Sequence, residues 1–127
     1  MASLGMNGPY KYSQKVIDEV IPDGVIGNYA LGSINPTNNV FVVRYVGRSD
    51  KDLKGRIGHS LGKYTHFKFS IAKSPSEAYY KECRNWHDFG EDKLLDNDIH
   101  PDKPDGIKFI FCPVCSQRIF DNLNLKK

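Results

Sequence analysis

The clearest pattern of apolar and polar positions lies in "VFVVRYVG". Phe41, Val43 and Tyr45 fall on one side of a period-two alternation, and Val40, Val42, Arg44 and Val46 on the other. This predicts a strand. Upstream, "VIGNYALGSI" predicts a second strand, and the intervening "NPTNN" is a turn, so the two should form a hairpin. Downstream, "HFKFSIAK" sets Phe67, Phe69 and Ile71 inward against Lys68 and Ser70, which predicts a third strand. Helical spacing appears in three other places. In "SQKVIDEVI", Ser13 is a good N-cap and Val16, Ile17 and Val20 share a face; Pro22 and Gly24 end it. Ser49 and Asp52, at capping-box spacing, open a helix over about 51–61, weakened by Gly55 and Gly58. Ser74, Pro75 and Glu77 form a strong helix start, and that helix should run to Phe89 and stop at Gly90. The chain then becomes acidic and turn-rich as far as Pro104, and "IKFIFCPVC" predicts a short strand entering a knuckle.

The order α-β-β-α-β-α implies an α+β fold: a three-stranded antiparallel sheet flanked by helices, with a C-terminal cysteine knuckle. Residues 1–24 form an N-terminal helical extension, 25–97 the core and 98–127 a tail, and 127 residues suit a single compact domain.

Charge sharpens this outline. Residues 44–73 carry eight Lys or Arg against Asp50 and Asp52, a local net of +6, whereas 91–105 carry six acids against Lys93 and Lys103. A basic band suits a polyanion partner, although a solvated basic face has the same composition. No apolar run approaches the roughly 18 residues of a membrane span, so no membrane partner is expected. The N-terminus lacks a hydrophobic signal core, and "MASLG" reads as partly a cloning remnant. Three cysteines, an odd count, fit a reducing cytoplasmic setting and favour metal ligation over disulfides.

One carboxylate is out of place. Ala78, Tyr79, Cys83 and Trp86 make the apolar stripe of the 74–89 helix, and Glu82 lies on its flank. A Glu there must be paired, protonated or metal-bound, because an unpaired buried charge is costly. Lys81 and Arg84 are the neighbouring partners for an ordinary surface pair.

"GNY" (Gly27, Asn28, Tyr29) and "YVG" (Tyr45, Val46, Gly47) stand on the two hairpin strands, "DLKGRIGH" follows, and "SPSEAYYKE" ends in Glu82. This ordered set resembles the GIY-YIG nuclease family, over about 25–97; the last segment resembles the matching helix of its nucleotide-excision-repair members. The resemblance implies a three-stranded antiparallel sheet flanked by helices and a metal-dependent DNA endonuclease. It also implies a catalytic set: Tyr29 and Tyr45 as the motif tyrosines, Arg56 as the active-site arginine, His59 as the histidine one helical turn on, Glu82 as the single metal-binding carboxylate, and Asn97 as the residue closing the site. One divalent cation, Mg²⁺ or Mn²⁺, belongs on Glu82. Three departures stand out: Asn28 replaces an apolar residue and should point away from Tyr29, His59 follows Arg56 by three residues rather than four, and Asn97 lies farther past Glu82 than usual.

In that chemistry Tyr29 acts as, or orients, the general base, Tyr45 hydrogen-bonds in the same site, Arg56 grips phosphate oxygens in a planar fork, and His59 assists proton transfer. Arg48, Lys51, Lys54 and Lys63 are candidates for DNA-backbone contacts. Such small nuclease domains work with an added DNA-binding domain or as dimers, so a homodimer is a further expectation.

"CPVC" supplies half a zinc site. Cys83 and His87, four apart on one helix, would complete a structural site with Cys112 and Cys115; His100 is the alternative ligand. Two other classes of function remain beside the nuclease: a non-catalytic nucleic-acid-binding module with the same fold, and a zinc-stabilised protein-interaction domain.

Overall fold

A computed structural model describes residues 3–117. Its centre is an antiparallel sheet of four strands in the order β1-β4-β2-β3: β1 (Asn7–Lys11), β2 (Gly27–Ile34), β3 (Phe41–Ser49) and β4 (His66–Ile71). The helices are α1 (Gln14–Val20), α2 (Leu53–Ile57), α3 (Pro75–Asp88) and α4 (Glu91–Leu94). The predicted α+β class is present, but the sheet has one strand more than the three expected. The extra strand, β1, lies in the segment read as helical only. It pairs with β4 at the sheet edge and is mostly exposed. Its "NGPYK" contains Gly and Pro, which an edge strand tolerates and an apolar-run criterion rejects.

Two layers of side chains hold the sheet. On one face Tyr29 and Leu31 of β2 join Ile17 and Ile21 from the α1 region, Leu53 and Ile57 of α2, and Phe67 and Phe69 of β4. On the other face Ala30 meets Val46 of β3 and Trp86 of α3. The central strand β2 is therefore buried on both faces from Gly27 to Gly32. Asn28 points to the α3 side and donates to the Ala78 carbonyl at 2.8 Å, away from Tyr29 as expected.

β3 departs from simple alternation. Leu31 pairs with Tyr45 but Gly32 pairs with Val43, so Arg44 is the extra residue of a β-bulge. The bulge reverses the pleat. Phe41 and Val43 pack with Val46 on the α3 side, while Tyr45 turns to the opposite face against Tyr29. The expected grouping of Phe41, Val43 and Tyr45 is thus split. Ile71, expected inward, is exposed at the end of β4.

Helix starts follow the sequence closely. Ser13 caps α1 through the Val16 N–H, and Ser74 caps α3 through the Glu77 N–H. α2 begins later than predicted: Asp52 is its N-cap, and Ser49 Oγ accepts from the Asp52 N–H at 2.8 Å instead. It ends at Ile57 and continues as a single tighter turn over Gly58–Ser60. The predicted strand at "IKFIFC" is absent; 107–112 has no regular structure, and a short helix follows at 113–117. The tail's last ten residues, 118–127, lie outside the described part. No described helix is long and apolar enough to cross a membrane.

Two motif glycines have a packing reason. Gly47 lies opposite Tyr29 in the ladder, and a Cβ there would overlap the Tyr29 ring. A Cβ on Gly27 would meet Leu53 Cδ2 at 2.8 Å. Gly47→Ala should therefore destabilise the fold by about 2 kcal/mol, as overpacking does. Urea unfolding measures it; an unchanged midpoint would show that the Tyr29 ring can yield.

Candidate active site and metal centre

Tyr29 leaves β2 on the face packed by α1 and α2 and stacks on Tyr45 of β3, with ring centroids 6.3 Å apart. It is 4% exposed. Burial, followed by the neighbouring Tyr45, holds its phenol well above the usual tyrosine range; the opposing influence is the nearby Arg56 guanidinium. Tyr29 is accordingly a neutral phenol near pH 7, able to donate or orient but poor as a base.

Glu82 comes from the opposite side, off α3, and is 8% exposed. Its partner is neither Lys81 nor Arg84. Arg48, at the end of β3, donates from Nη1 to Glu82 Oε1 at 2.5 Å and from Nε to Asp50 Oδ1 at 2.9 Å. The guanidinium also lies over the Tyr79 ring at 5.3 Å. Burial raises the Glu82 pKa, and Arg48 is the largest influence against that rise. The Arg48 side chain is thus largely buried in an ion-pair network rather than free on the surface as expected of a backbone contact.

Arg48, Lys51, Arg56 and Glu82 line one cleft of roughly 340 Å³, together with Asp50 and Asp102. Tyr29 stands behind Arg56. The structure therefore brings together Tyr29, Tyr45, Arg56 and Glu82 from β2, β3, α2 and α3. It does not bring His59 there: that residue is exposed on the turn after α2 and does not line the cleft. Asn97 is committed elsewhere. Its Oδ1 accepts from Val46 N–H at 2.9 Å and its Nδ2 donates to Val46 O at 2.7 Å, which closes the outer edge of β3. Lys54 pairs with Asp23 at 2.8 Å, and Lys63 lines a separate depression with Arg44 and Tyr64. Gly55 also has a local role, since a Cβ there would meet the capping carboxylate of Asp52 at 2.6 Å.

A second constellation joins the tail to α3. His87, His100, Cys112 and Cys115 offer four ligand atoms within 4.8 Å of one another, and this group can hold a metal ion. Each imidazole is oriented from behind. His87 Nδ1 meets Glu91 Oε2 at 2.5 Å, and His100 Nδ1 meets the Pro101 carbonyl at 2.9 Å, so both Nε2 atoms face the thiols. His87 Nε2 is 3.4 Å and His100 Nε2 3.6 Å from Cys115 Sγ. Burial pushes the Cys112 thiol up, but hydrogen bonds from the Cys115 N–H, His100 and Cys83 outweigh it and bring the thiol down to about 6. Cys83, expected as a ligand, is not in the group. Buried on α3 and close to Cys112, its thiol is pushed up to about 12, chiefly by that burial. His100, the alternative, takes its place. The i,i+4 rule showed that Cys83 and His87 share a face, but not which atoms the tail would approach. Glu91 and Asp102 were missed because they lie in an acidic stretch that reads as solvated surface.

Arg48→Met should cost about 3 kcal/mol, because it strands the Glu82 carboxylate. The raised Glu82 pKa fixes the sign of the pH effect. Ionising a carboxyl whose folded pKa is raised removes stability, so the deficit should be smallest below the ordinary glutamate pKa and grow as pH rises through the folded one. Denaturant titrations at several pH values test this; a deficit independent of pH would contradict the pairing. For the metal group, adding Co²⁺ to metal-free protein should give the visible bands of a tetrahedral thiolate–imidazole site, and Cys112→Ser should lose them. A colourless wild-type sample would contradict it.

No family model, curated protein or solved structure matches this chain, so the reading of both sites rests on their own geometry and chemistry.

Proposed function

We propose that the protein is a metal-dependent DNA endonuclease with a GIY-YIG-like fold, hydrolysing phosphodiester bonds in the Arg48–Arg56–Glu82 cleft. One observation carries the reading: Arg56 and Glu82, far apart in sequence and on different elements, line a single cleft rich in guanidinium groups, with Tyr29 buried close to both. Arg56, exposed at the cleft, grips two phosphate oxygens and stabilises the charge that develops in the transition state. Tyr29, a neutral phenol beside Arg56, orients the phosphate or the attacking water. Tyr45 fixes the Tyr29 ring from its stacked side.

The carboxylates of Glu82 and Asp50 are hard oxygen donors in one cleft, which suits Mg²⁺ or Mn²⁺. Such a cation, when bound, supplies Lewis-acid stabilisation and a more acidic water. Arg48 holds Glu82 Oε1 in the free protein, so a cation engages that carboxylate in competition with Arg48. That same pairing favours a second reading, a non-catalytic nucleic-acid-binding module in which Arg48 permanently neutralises Glu82.

For the Cys/His group the ion is zinc, in a structural role. Zinc–sulfur bonds of about 2.3 Å and zinc–nitrogen bonds of about 2.0 Å at tetrahedral angles place S and N about 3.5 Å apart. The two measured separations, 3.4 and 3.6 Å, straddle that value. Four protein ligands leave no open position for substrate.

Glu82→Gln and Arg56→Ala should each lower Mg²⁺-dependent cleavage of duplex DNA by about 10²-fold or more while leaving the fold intact. Full cleavage by either variant would contradict the reading. Tight DNA binding with no cleavage by the wild type under any divalent cation would favour the binding module.

A further inference from the structure

The zinc group and the cleft share one piece of chain. Asp102, which lines the cleft, is two residues after His100, which faces the zinc ligands. Consecutive Cα atoms are about 3.8 Å apart, so fixing His100 confines Asp102 to within about 7 Å. Apart from Trp86, which packs edge-on against the His100 ring at 5.2 Å and donates to the Asn97 carbonyl, little else fixes it. From 98 to 111 the chain has no helix or strand, and its one internal backbone hydrogen bond runs from the Ile107 N–H to the Pro104 carbonyl. The anchors of this stretch are the Asn97 side chain on Val46 at one end and the Cys112–Cys115 knuckle at the other, with buried Pro104 and Ile110 between them.

The charge Asp102 brings is not neutral in effect. Arg48, Lys51 and Arg56 face the cleft, and Asp50 and Glu82 already engage Arg48. Without Asp102 the cleft has one cation in excess; with it the counts are equal. A carboxylate at that wall weakens the attraction for phosphate groups.

We infer that zinc at His87, His100, Cys112 and Cys115 builds one wall of the cleft by holding Asp102 in it, and that Asp102 is a positioned residue restraining phosphate binding there. The phosphate part of this inference rests on the nuclease reading; the structural part does not. Zinc loss would then do more than loosen the tail. It would withdraw a carboxylate from the cleft and change what the cleft binds.

The test compares the isotope-labelled full chain, zinc-loaded and chelator-stripped, with and without Asp102→Asn. One readout is the NMR signals of Arg48, Lys51 and Arg56; the other is affinity for a short DNA duplex at low salt. In the zinc-loaded protein Asp102→Asn should shift those signals and tighten duplex binding by about 3- to 10-fold. In the stripped protein it should do neither. Should stripping unfold the sheet, His100→Ala in the presence of zinc replaces it as the unclamped form. Equal effects of Asp102→Asn in both forms, or unmoved cleft signals in the zinc form, would overturn the inference. If the signals behave as expected but no form binds the duplex, the clamp stands and the nuclease reading fails.

Discussion

The contact between Arg48 and Glu82 is the interaction on which the rest of the site depends. It ties the end of β3 to the middle of α3 at 2.5 Å, with both side chains 11% exposed. Removing a carboxylate from water is costly, and at this depth only a close, hydrogen-bonded cation offsets it. Arg48 does so with a planar fork that also reaches Asp50 and lies on the Tyr79 ring. The helix carrying Glu82 therefore lies against the strand carrying Arg48 in a fixed register. Arg56, on the far wall of the cleft, is placed by the packing of Leu53 and Ile57 of its own helix.

Around it, the fold solves a positioning problem with short elements. β2 is buried on both faces, so it fixes Tyr29 towards α2 and Asn28 towards α3 with little freedom. The bulge at Arg44 turns Tyr45 onto the Tyr29 side, where the two rings stack. Gly47 leaves the volume that the Tyr29 ring occupies. The exposed edge of β3 is closed by Asp96 and Asn97, the first donating its backbone N–H to the Arg44 carbonyl and the second pairing both ways with Val46. That edge would otherwise present unpaired backbone groups.

Much of this was legible from sequence because it rests on local rules. Ser13 and Ser74 announced their helices, and period-two alternation marked β3 and β4. The convergence of Tyr29, Arg56 and Glu82 was expected only through a family resemblance, since no spacing rule joins residues so far apart. What failed to show has physical causes. β1 buries little and contains Gly and Pro. The Arg44 bulge breaks a periodic pattern without leaving a mark in composition. Partner choice for Glu82 is a long-range event between residues 34 positions apart, whereas sequence neighbours suggested Lys81 and Arg84. Cys83 and His100 exchanged roles for a similar reason: helix geometry shows which way Cys83 points, but the path of an irregular tail decides which ligands meet. Asn97 was read as closing the active site only through the family resemblance; the edge of β3 engages both ends of its amide.

The central claim is that the cleft cuts DNA with the help of a divalent cation. The most direct measurement incubates end-labelled duplex and branched DNA with the purified, zinc-loaded protein, with Mg²⁺ or Mn²⁺ and again in buffer dialysed free of both ions. The account predicts discrete cleavage products only when the hard cation is present. Intact DNA at saturating protein with either cation, or products that persist after its removal, would contradict it.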